Sequence, residues 1–453
     1  MVHAIVLKVT AICILGACLL GLKLAQNYRS ISLTSHICKV LESIIKDKVV
    51  HYLESNNLIR NSQHGFVAKR SCLTNLLEFY EYVSNYVDKG YPIDVIYLDF
   101  QKAFDKVPHK RLMLKIRALG IEETVCNWIE KWLENREQRV VLLGKNSDWK
   151  KVKSGVPQGS VLGPLLFLIY INDIDDDINN NILKFADDTK LFGIAATGRD
   201  VQRMQDDLDR MYSWSEEWLM LFNVKKCKVM HLGYNNGLAN YTMNGNILES
   251  VVEEKDLGVV FQNNLKWDKE CAKAVNTANR ILGMIKRNFV FLNRENFLLL
   301  YKSLVRPHLE YCIQVWCPHF KKDIELLENV QRRATKLVKC MRDKSYEERL
   351  DYFKLTTLET RRLRGDLIEA FKILNGKEKV EVGKFFRVSM SNRTRGHSMK
   401  IIKSSCRLDL RKFAFSHRVI NVWNTLTEGI IACDTINSFK NKLDKFLNGR
   451  GFK

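Results

Sequence analysis

Residues 181–193 read NILKFADDTKLFG, two short apolar runs on either side of the adjacent acids Asp187 and Asp188. Apolar runs of this length around a break are typical of two β-strands joined by a tight turn. The acid pair then lies at a hairpin tip, although the turn lacks the usual Asn-Gly signal. Neighbouring carboxylates raise each other's proton affinity unless a cation lies between them. The segment therefore predicts a hairpin whose tip binds a divalent metal ion.

A second strand with an acid at its exit lies upstream, in IDVIYLDFQKAFDK at 93–106. Side chains alternate along a strand, which places Ile96, Leu98 and Phe100 on one face and Asp99 on the other. We expect the apolar face to be buried and the acid to lie at the edge of the sheet.

These acids together favour a metal site rather than two unrelated turns. Mg²⁺ takes oxygen ligands, characteristically one or two carboxylates plus substrate phosphates. Asp99 beside Asp187 and Asp188 would hold two ions about 3.5–4 Å apart, an arrangement that stabilises the attacking and leaving oxygens of phosphoryl transfer. An isolated pair of acids is more often a solvated turn, so this interpretation depends on the neighbouring segments.

One such segment is SGVPQGSVLGP at 154–164, which precedes an apolar helix. Gly155 and Gly159 allow close approach of the backbone to a ligand, and Pro157 stiffens the loop. Gln158 can hydrogen-bond to a base or sugar edge. The alternative is a Gly/Pro loop that only introduces a buried helix.

The composition describes a globular, basic chain. With 453 residues, 46% of them hydrophobic and only 6 prolines, a disordered or low-complexity protein is excluded, and two or three packed units are expected. The net charge of +21 is uneven, because residues 321–453 carry 31 Lys and Arg against 16 Asp and Glu. A polyanion suits such a region, with nucleic acid favoured over an anionic membrane surface.

The patterning divides the chain softly near residues 235 and 330, where mixed helical and β-rich sequence gives way to helical sequence. Val9 to Ala25 is an apolar leader that fits a signal or membrane anchor, or a foreign start joined to a truncated coding region, which we favour. His308, Cys312, Cys317 and His319 are the donors of a hypothetical zinc site, but their spacing is more typical of a packed amphipathic helix.

Five motifs in order resemble the reverse transcriptases of non-long-terminal-repeat (LINE-type) retrotransposons, closest to the jockey-like kind. These motifs are LDFQKAFD at 98–105, SGVPQGSVLGP at 154–164, FADD at 185–188, NVKKCKVMHLG at 223–233 and DLGV at 256–259. Further segments at 27–42, 63–77 and 303–337 resemble the fingers and thumb of that family. The resemblance covers roughly residues 27–440.

The resemblance implies an α+β right-hand polymerase fold. The palm would be a small antiparallel sheet with helices on one face, followed by a helical thumb and a basic helical C-terminal region. The implied division is an apolar leader at 1–26, fingers and palm at 27–235, thumb at 236–330 and the basic region at 331–453.

The resemblance also implies roles for individual residues. Asp99, Asp187 and Asp188 are the expected catalytic, metal-binding acids. The expected nucleotide contacts are Phe100, Phe104, Gln158, Arg70 and Lys226. Phe104 resembles a bulky gate that collides with a ribose 2′-hydroxyl, and Lys226 a proton donor to pyrophosphate, although a solvated surface lysine is nearly as plausible. Arg332, Arg333, Lys336 and Lys339 would contact nucleic acid, the alternative being a solvated basic face.

The implied activity is RNA-directed DNA synthesis with two Mg²⁺ ions, for which Mn²⁺ is the expected substitute. RNA template, DNA primer and dNTPs are the expected partners, and the alternative is an impaired, truncated product that only binds nucleic acid. Endonuclease activity is not expected in this chain. We expect a nuclear or cytoplasmic ribonucleoprotein, with membrane contact only through Val9–Ala25.

Two positions depart from the family pattern. Ser30 lies where proline is usual, and Lys69 lies where glycine is common just before Arg70. The family pattern begins here at Asn27, so we expect a preceding finger strand to be missing, which would weaken nucleotide binding more than metal binding.

Overall fold

The computed structural model describes residues 31–142, 144–389 and 396–449. Its central element is a five-stranded sheet with the order β5-β4-β1-β3-β2. The strands are β1 (Ile93–Leu98), β2 (Asn181–Phe185), β3 (Asp188–Ile194), β4 (Lys228–Leu232) and β5 (Glu249–Ser250). Neighbouring strands are antiparallel except β5, which runs parallel to β4. A separate antiparallel hairpin follows, made of β6 (Glu253–Asp256) and β7 (Val259–Gln262).

Helices account for most of the remaining regular structure. Those of seven or more residues are α1 (His36–Ser55), α2 (Cys72–Asp88), α3 (His109–Ala118), α4 (Glu123–Leu133), α5 (Gly163–Tyr170), α6 (Gly198–Glu217), α7 (Asp268–Asn288), α8 (Arg294–Leu300), α9 (Lys321–Thr335), α10 (Tyr346–Phe353), α11 (Leu358–Leu374) and α12 (Ile436–Gly449). The predicted α+β class, with a helical region after the sheet, is therefore confirmed.

Shorter elements connect them. Short α-helices lie at Ala103–Lys106, Arg306–Glu310, Ile313–Trp316, Val382–Phe385, Asp409–Lys412, Phe415–Arg418, Ile420–Trp423 and Glu428–Ile431. Two-residue strands pair Glu137–Gln138 with Lys150–Lys151, Val141–Leu142 with Lys145–Asn146, Thr242–Met243 with Asn246–Ile247, and Arg387–Val388 with Ile401–Ile402. In the described ranges, no helix is long and apolar enough to span a membrane. The segment Val9–Ala25 lies outside those ranges.

The sheet is buried on both faces, whereas helices on one face were predicted. On one side Ile96, Leu98 and Phe100 belong to a core that includes α5 and α6. On the other side Ile93 and Val95 belong to a second core shared with α2 and with the helices from α7 onward. Alternate side chains of β1 thus pack into two different cores, which explains why the strand is almost continuously apolar.

The predicted boundaries at 235 and 330 do not coincide with breaks in the structure. β5 joins the sheet after residue 235, and residue 330 lies inside α9. Both α9 and α12 contribute to the second core. The boundaries followed changes in composition along the chain, and composition does not reveal which helices pack together.

Candidate active site

Strand pairing brings two of the predicted acids side by side. In the antiparallel register of β1 and β3, Leu98 lies opposite Thr189, so that the next position places Asp99 opposite Asp188. Phe185 pairs with Asp188 across the β2–β3 hairpin, which leaves a two-residue turn of Ala186 and Asp187. The hairpin predicted from the sequence is therefore confirmed, and Asp187 lies at its tip.

The carboxylates repel one another. Burial, and then the negative charges of Asp187, Asp256 and Asp99, raise the pKa of Asp188 to about 6. Two cations offset part of this repulsion, because Lys190 lowers the pKa of Asp188 and Lys226 Nζ lies 3.3 Å from Asp99 Oδ2. Lys226 is mostly exposed, so this pair contributes little to stability. Its position confirms only that the predicted lysine lies beside the predicted acid.

Asp99, Asp188 and Lys226 share a small cavity of about 160 Å³. Two of its lining groups, the Tyr97 hydroxyl and Asn75 Oδ1, are buried and have no hydrogen-bond partner among the described residues. Orphaned polar atoms of this kind are satisfied by water or by a ligand. The cavity is therefore a polar space next to the acids rather than a packing defect.

A buried ion pair between Lys190 and Asp256 forms the rear of this cavity, and sequence analysis missed it. Asp256 belongs to the β6–β7 hairpin, whereas Lys190 lies on β3, two residues beyond Asp188 and therefore on the same face. The signal was present, because a lysine followed directly by the apolar run of β3 requires a partner if it is buried. Its partner's identity depends on tertiary structure.

The three predicted acids fit a hard divalent cation through their chemistry, but they do not form a complete set of ligands. In the described part of the chain, no group of three or more His, Cys, Asp or Glu side chains is arranged to hold a metal ion. Asp99 and Asp188 both line the same cavity, and desolvation followed by the neighbouring carboxylates raises the pKa of Asp188. Mg²⁺ needs only one or two protein carboxylates when substrate phosphates complete its shell.

The loop at 154–164 binds to the segment that follows β1. Backbone N–H groups of Gly155 and Val156 donate to the carbonyls of Val107 and Phe104, each at 2.8 Å. The Ser154 hydroxyl donates to the Asp105 carbonyl at 3.0 Å. Two of the predicted motifs therefore form one rigid unit beside the acids.

Gly155 and Gly159 of this loop are required by chain packing, and their predicted approach to a ligand stays a prediction. A Cβ on Gly155 would lie 2.8 Å from the Asp105 carbonyl oxygen, and one on Gly159 would lie 2.8 Å from that of Ser32. Both glycines also have positive φ, 95° in each case. Backbone contact and conformation together require glycine here.

A buried carboxylate from α1 fixes the other end of the loop. Glu42 is fully buried, and its Oε2 accepts hydrogen bonds from the backbone N–H groups of Val161 (2.7 Å) and Leu162 (3.1 Å), just before α5. The negative charge also suits a helix N-terminus. Periodicity could not reveal this role, because it marks only which positions are apolar.

Replacing Glu42 by Ala should lower the free energy of unfolding by roughly 2–3 kcal/mol, because two buried N–H donors lose a charged acceptor. Chemical denaturation of the full chain measures this loss. The control is Asp47→Ala on the exposed side of the same helix, for which a change within about 0.5 kcal/mol is expected. Equal effects of the two substitutions would refute the capping role.

Arg70 lies in a turn and is held by backbone acceptors. Its Nη1 donates to the carbonyls of Asn61 and Gln63, and Nη2 to Asn61 Oδ1 at 3.2 Å. Burial lowers the pKa of the guanidinium, and its Nε has no partner in the described ranges. The contact of Arg70 with a nucleotide stays a prediction. The Arg70 guanidinium is already partly hydrogen-bonded within the protein.

Lys69, the residue before Arg70, has a backbone conformation that explains why glycine is common at this position in the family. Lys69 has a φ of 58°, in the left-handed region, which costs a non-glycine residue roughly 1–2 kcal/mol. We expect Lys69→Gly to raise the free energy of unfolding by about 1 kcal/mol. Lys48→Gly, at an exposed position within α1, should have the opposite sign, because glycine destabilises helix interiors. A destabilised Lys69→Gly protein in thermal melts would contradict this.

The predicted nucleotide contacts differ in exposure. Phe100 is only 5% exposed and stacks on Phe222 with ring centroids 4.4 Å apart, so it belongs to the core, and its contact with a nucleotide stays a prediction. Its alternation with Asp99 already implied a position on the buried face. Phe104 is half-buried and stacks on Phe167, while the Gln158 carbonyl accepts a hydrogen bond from Ser32 N–H. Their contacts with substrate stay predictions.

The four predicted nucleic-acid cations are all exposed. Arg332 and Arg333 lie in the last turn of α9, Lys336 caps it, and Lys339 follows in a 3₁₀ turn. The Arg332 guanidinium lies over the Tyr346 ring at 4.2 Å, and Lys339 Nζ over the Phe291 ring at 4.6 Å. They form a basic surface around the end of one helix.

The segment that contains the donors of the hypothetical zinc site, residues 308–319, is packed rather than open. A π-helical turn at Tyr301–Val305 leads into short helices separated at Cys312, whose φ is 49°, so the predicted single helix is interrupted. His319 stacks on Phe413 with ring centroids 4.4 Å apart. The apolar residues of this segment belong to the second core.

Comparison with known proteins agrees with the motifs. Residues 21–285 match the family model described as reverse transcriptase (RNA-dependent DNA polymerase), which is more than half of the chain. The protein therefore belongs to the reverse transcriptase family. The predicted family is confirmed.

Two of the similar curated proteins come from mobile elements of Drosophila. The RNA-directed DNA polymerase from mobile element jockey of Drosophila funebris is 27% identical over 64% of this chain and 33% of its own length. The probable RNA-directed DNA polymerase from transposon X-element of Drosophila melanogaster is 26% identical over 69% and 35%. The chain spans about a third of these relatives. Among solved structures, apo telomerase from Candida tropicalis is similar with a TM-score of 0.42 and 11% identity, over 72% of this chain and 59% of that one.

Proposed function

We propose that this protein is an RNA-directed DNA polymerase that extends a primer 3′-hydroxyl with deoxynucleoside triphosphates. The observation that carries the proposal is the juxtaposition of Asp99, which directly follows β1, and Asp188, the first residue of the neighbouring strand β3, with Asp187 at the adjoining tip, in a chain of the reverse transcriptase family. A polymerase needs carboxylates close together, and the register of β1 and β3 supports this arrangement.

Asp99, Asp187 and Asp188 would hold Mg²⁺, which when bound supplies charge stabilisation to the attacking and leaving oxygens. Proton transfer and nucleotide selection are carried out by side chains of the protein. Lys226, beside Asp99, donates a proton towards the leaving pyrophosphate. Phe104, fixed by its stack on Phe167, excludes a ribose 2′-hydroxyl and so selects deoxynucleotides.

Positioning explains the remaining residues. The loop around Gln158, bound to the segment after β1, orients the nucleotide against the template. The basic surface around Arg332, Arg333 and Lys336 contacts the phosphates of the template and primer. A cellular location as a ribonucleoprotein follows from this proposal and is tested by co-sedimentation with RNA.

A primer-extension assay tests the function. The full chain is incubated with poly(rA)/oligo(dT), dTTP and Mg²⁺, and incorporation is followed with time. We expect incorporation that a chelator abolishes and that Mg²⁺ or Mn²⁺ restores. Salt-sensitive RNA binding without any incorporation would overturn the proposal and leave a protein that only binds nucleic acid.

A further inference from the structure

The turn that carries the acids has an unfavourable backbone conformation. Ala186, the residue directly before Asp187, has a φ of 54°, in the left-handed region. Residues with a Cβ avoid this region, because the Cβ lies too close to the following carbonyl oxygen. A strained residue of this kind persists only where the surrounding structure fixes it. The positions of Asp187 and Asp188 therefore depend on the contacts that hold Ala186.

Gln63 supplies such a contact. It is 2% exposed, and its side-chain Oε1 accepts hydrogen bonds from the backbone N–H groups of Ala186 (2.9 Å) and Gly65 (2.8 Å). Ala186 is itself buried, so loss of this acceptor would leave a buried donor unsatisfied. A Cβ on Gly65 would lie 2.5 Å from the Ala186 nitrogen, which shows how closely the two segments pack.

The backbone around Gln63 is bound to β2. Lys184 N–H donates to the Ser62 carbonyl and His64 N–H donates to the Lys184 carbonyl, each at 2.8 Å. Gln63 and Lys184 thereby form a parallel bridge. Since β2 is an edge strand of the five-stranded sheet, this segment extends the sheet by one bridge and holds Gln63 beside the turn.

The same residue contacts Arg70, for which a triphosphate contact is predicted. Arg70 Nη1 donates to the backbone carbonyl of Gln63 at 3.0 Å, while the side chain of Gln63 binds the turn. Gln63 thus joins Arg70 to the acid-bearing turn through two hydrogen bonds, one at its backbone and one at its side chain. This arrangement suits a residue that sets where the acids lie relative to Arg70.

We propose that Gln63 is a positioning residue for the metal-binding acids: its side-chain carbonyl holds Ala186 in the left-handed conformation and so fixes the positions from which Asp187 and Asp188 bind a divalent cation. The catalytic consequence rests on the proposed function. Gln63 acts through Ala186 and needs no contact with metal or nucleotide. The alternative is that Gln63 only stabilises the fold, and the two roles predict different results.

The test compares two buried glutamines, each changed to Met in the full chain. Met has a similar size and lacks the strong donor and acceptor of the amide. Gln63→Met removes the acceptor of the Ala186 N–H. Gln331→Met is the matched control, because Gln331 is fully buried and hydrogen-bonded to the hydroxyls of Tyr301 and Tyr346 in the second core. Thermal melting shows how far each change destabilises the protein.

Two measurements report on the acids without catalysis. Hydrogen exchange of the Ala186 amide, followed in peptides that span residues 183–190, should become about tenfold faster in Gln63→Met, because the amide loses its acceptor. Mn²⁺ affinity is measured from the electron paramagnetic resonance signal of the free ion, and only the binding that Asp187→Asn removes is counted. We expect this affinity to fall about tenfold or more. Gln331→Met should change each quantity by less than about twofold.

Ala186→Gly provides a second variant that acts on the same turn. Glycine adopts the left-handed region without strain, so a turn with glycine depends less on Gln63. In the Gln63→Met background this change should recover Mn²⁺ affinity by about threefold, whereas a role in stability alone predicts no recovery. If Gln63→Met does not fold, Gln63→Asn takes its place, because it keeps an amide and shortens the side chain by one methylene group.

Unchanged Mn²⁺ affinity in the folded Gln63 variant, an equal loss in Gln331→Met, or no recovery with Ala186→Gly would overturn the proposal. A wild-type protein without Asp187-dependent Mn²⁺ binding would do the same. Neither measurement needs primer extension. A chain that extends no primer but loses Mn²⁺ affinity in the Gln63 variant therefore refutes the proposed function and not this inference.

Discussion

Replacing Asp187 by Asn abolishes primer extension, with an expected loss of about 10³-fold or more in rate. The substitution preserves shape and removes one negative charge from the hairpin tip. A metal site contributes several kcal/mol of charge stabilisation to the transition state, and about 4 kcal/mol corresponds to a factor of about 10³. The initial rate of dTTP incorporation on poly(rA)/oligo(dT) measures the effect.

Folding should not suffer from this change, because it removes a like charge beside Asp188, whose pKa those neighbours raise. Thermal melting therefore accompanies the assay. Asp209→Asn, at an exposed position of α6, is the matched control and should extend primers at the wild-type rate. Full activity of the Asp187→Asn protein would show that Asp187 is not part of the catalytic site.

Replacing Gly155 by Ala should lower the free energy of unfolding by roughly 2–4 kcal/mol. A Cβ at this position would lie within 2.9 Å of the Asp105 Cα and carbonyl carbon, and the φ of 95° is unfavourable for alanine. Conformational cost and overpacking each contribute about 1–3 kcal/mol. Urea denaturation measures the loss.

Gly198 provides the comparison, because it begins α6 and a Cβ added to it would meet no atom within 4 Å among the described residues. Gly198→Ala should be neutral or slightly stabilising, since alanine favours the helix. If Gly155→Ala matches Gly198→Ala, the loop is not fixed by its contact with Asp105, and the two motifs do not form one unit.

Local patterns predicted the elements that carry the acids. Alternation identified the buried face of β1, and the apolar runs at 181–193 identified the hairpin. Both are short-range features, so a single sequence contains them. The motifs and their order were sufficient for the family, and the match over residues 21–285 confirms it.

Long-range partners could not be predicted in the same way. The buried Glu42 satisfies N–H groups about 120 residues away, and Lys190 pairs with Asp256 on a different hairpin. Nothing in the local sequence encodes which distant residue completes such a pair. The alternation with Asp99 predicts a buried Phe100 ring, as the structure has it, whereas the contact of Phe100 with a nucleotide stays a prediction.

The ion pair between Lys190 and Asp256 links the acid-bearing strand to the hairpin from which the chain continues into its helical half. Separating these charges would leave each of them unpaired in a low-dielectric interior. The ion pair therefore joins the two parts of the chain at a position two residues from Asp188.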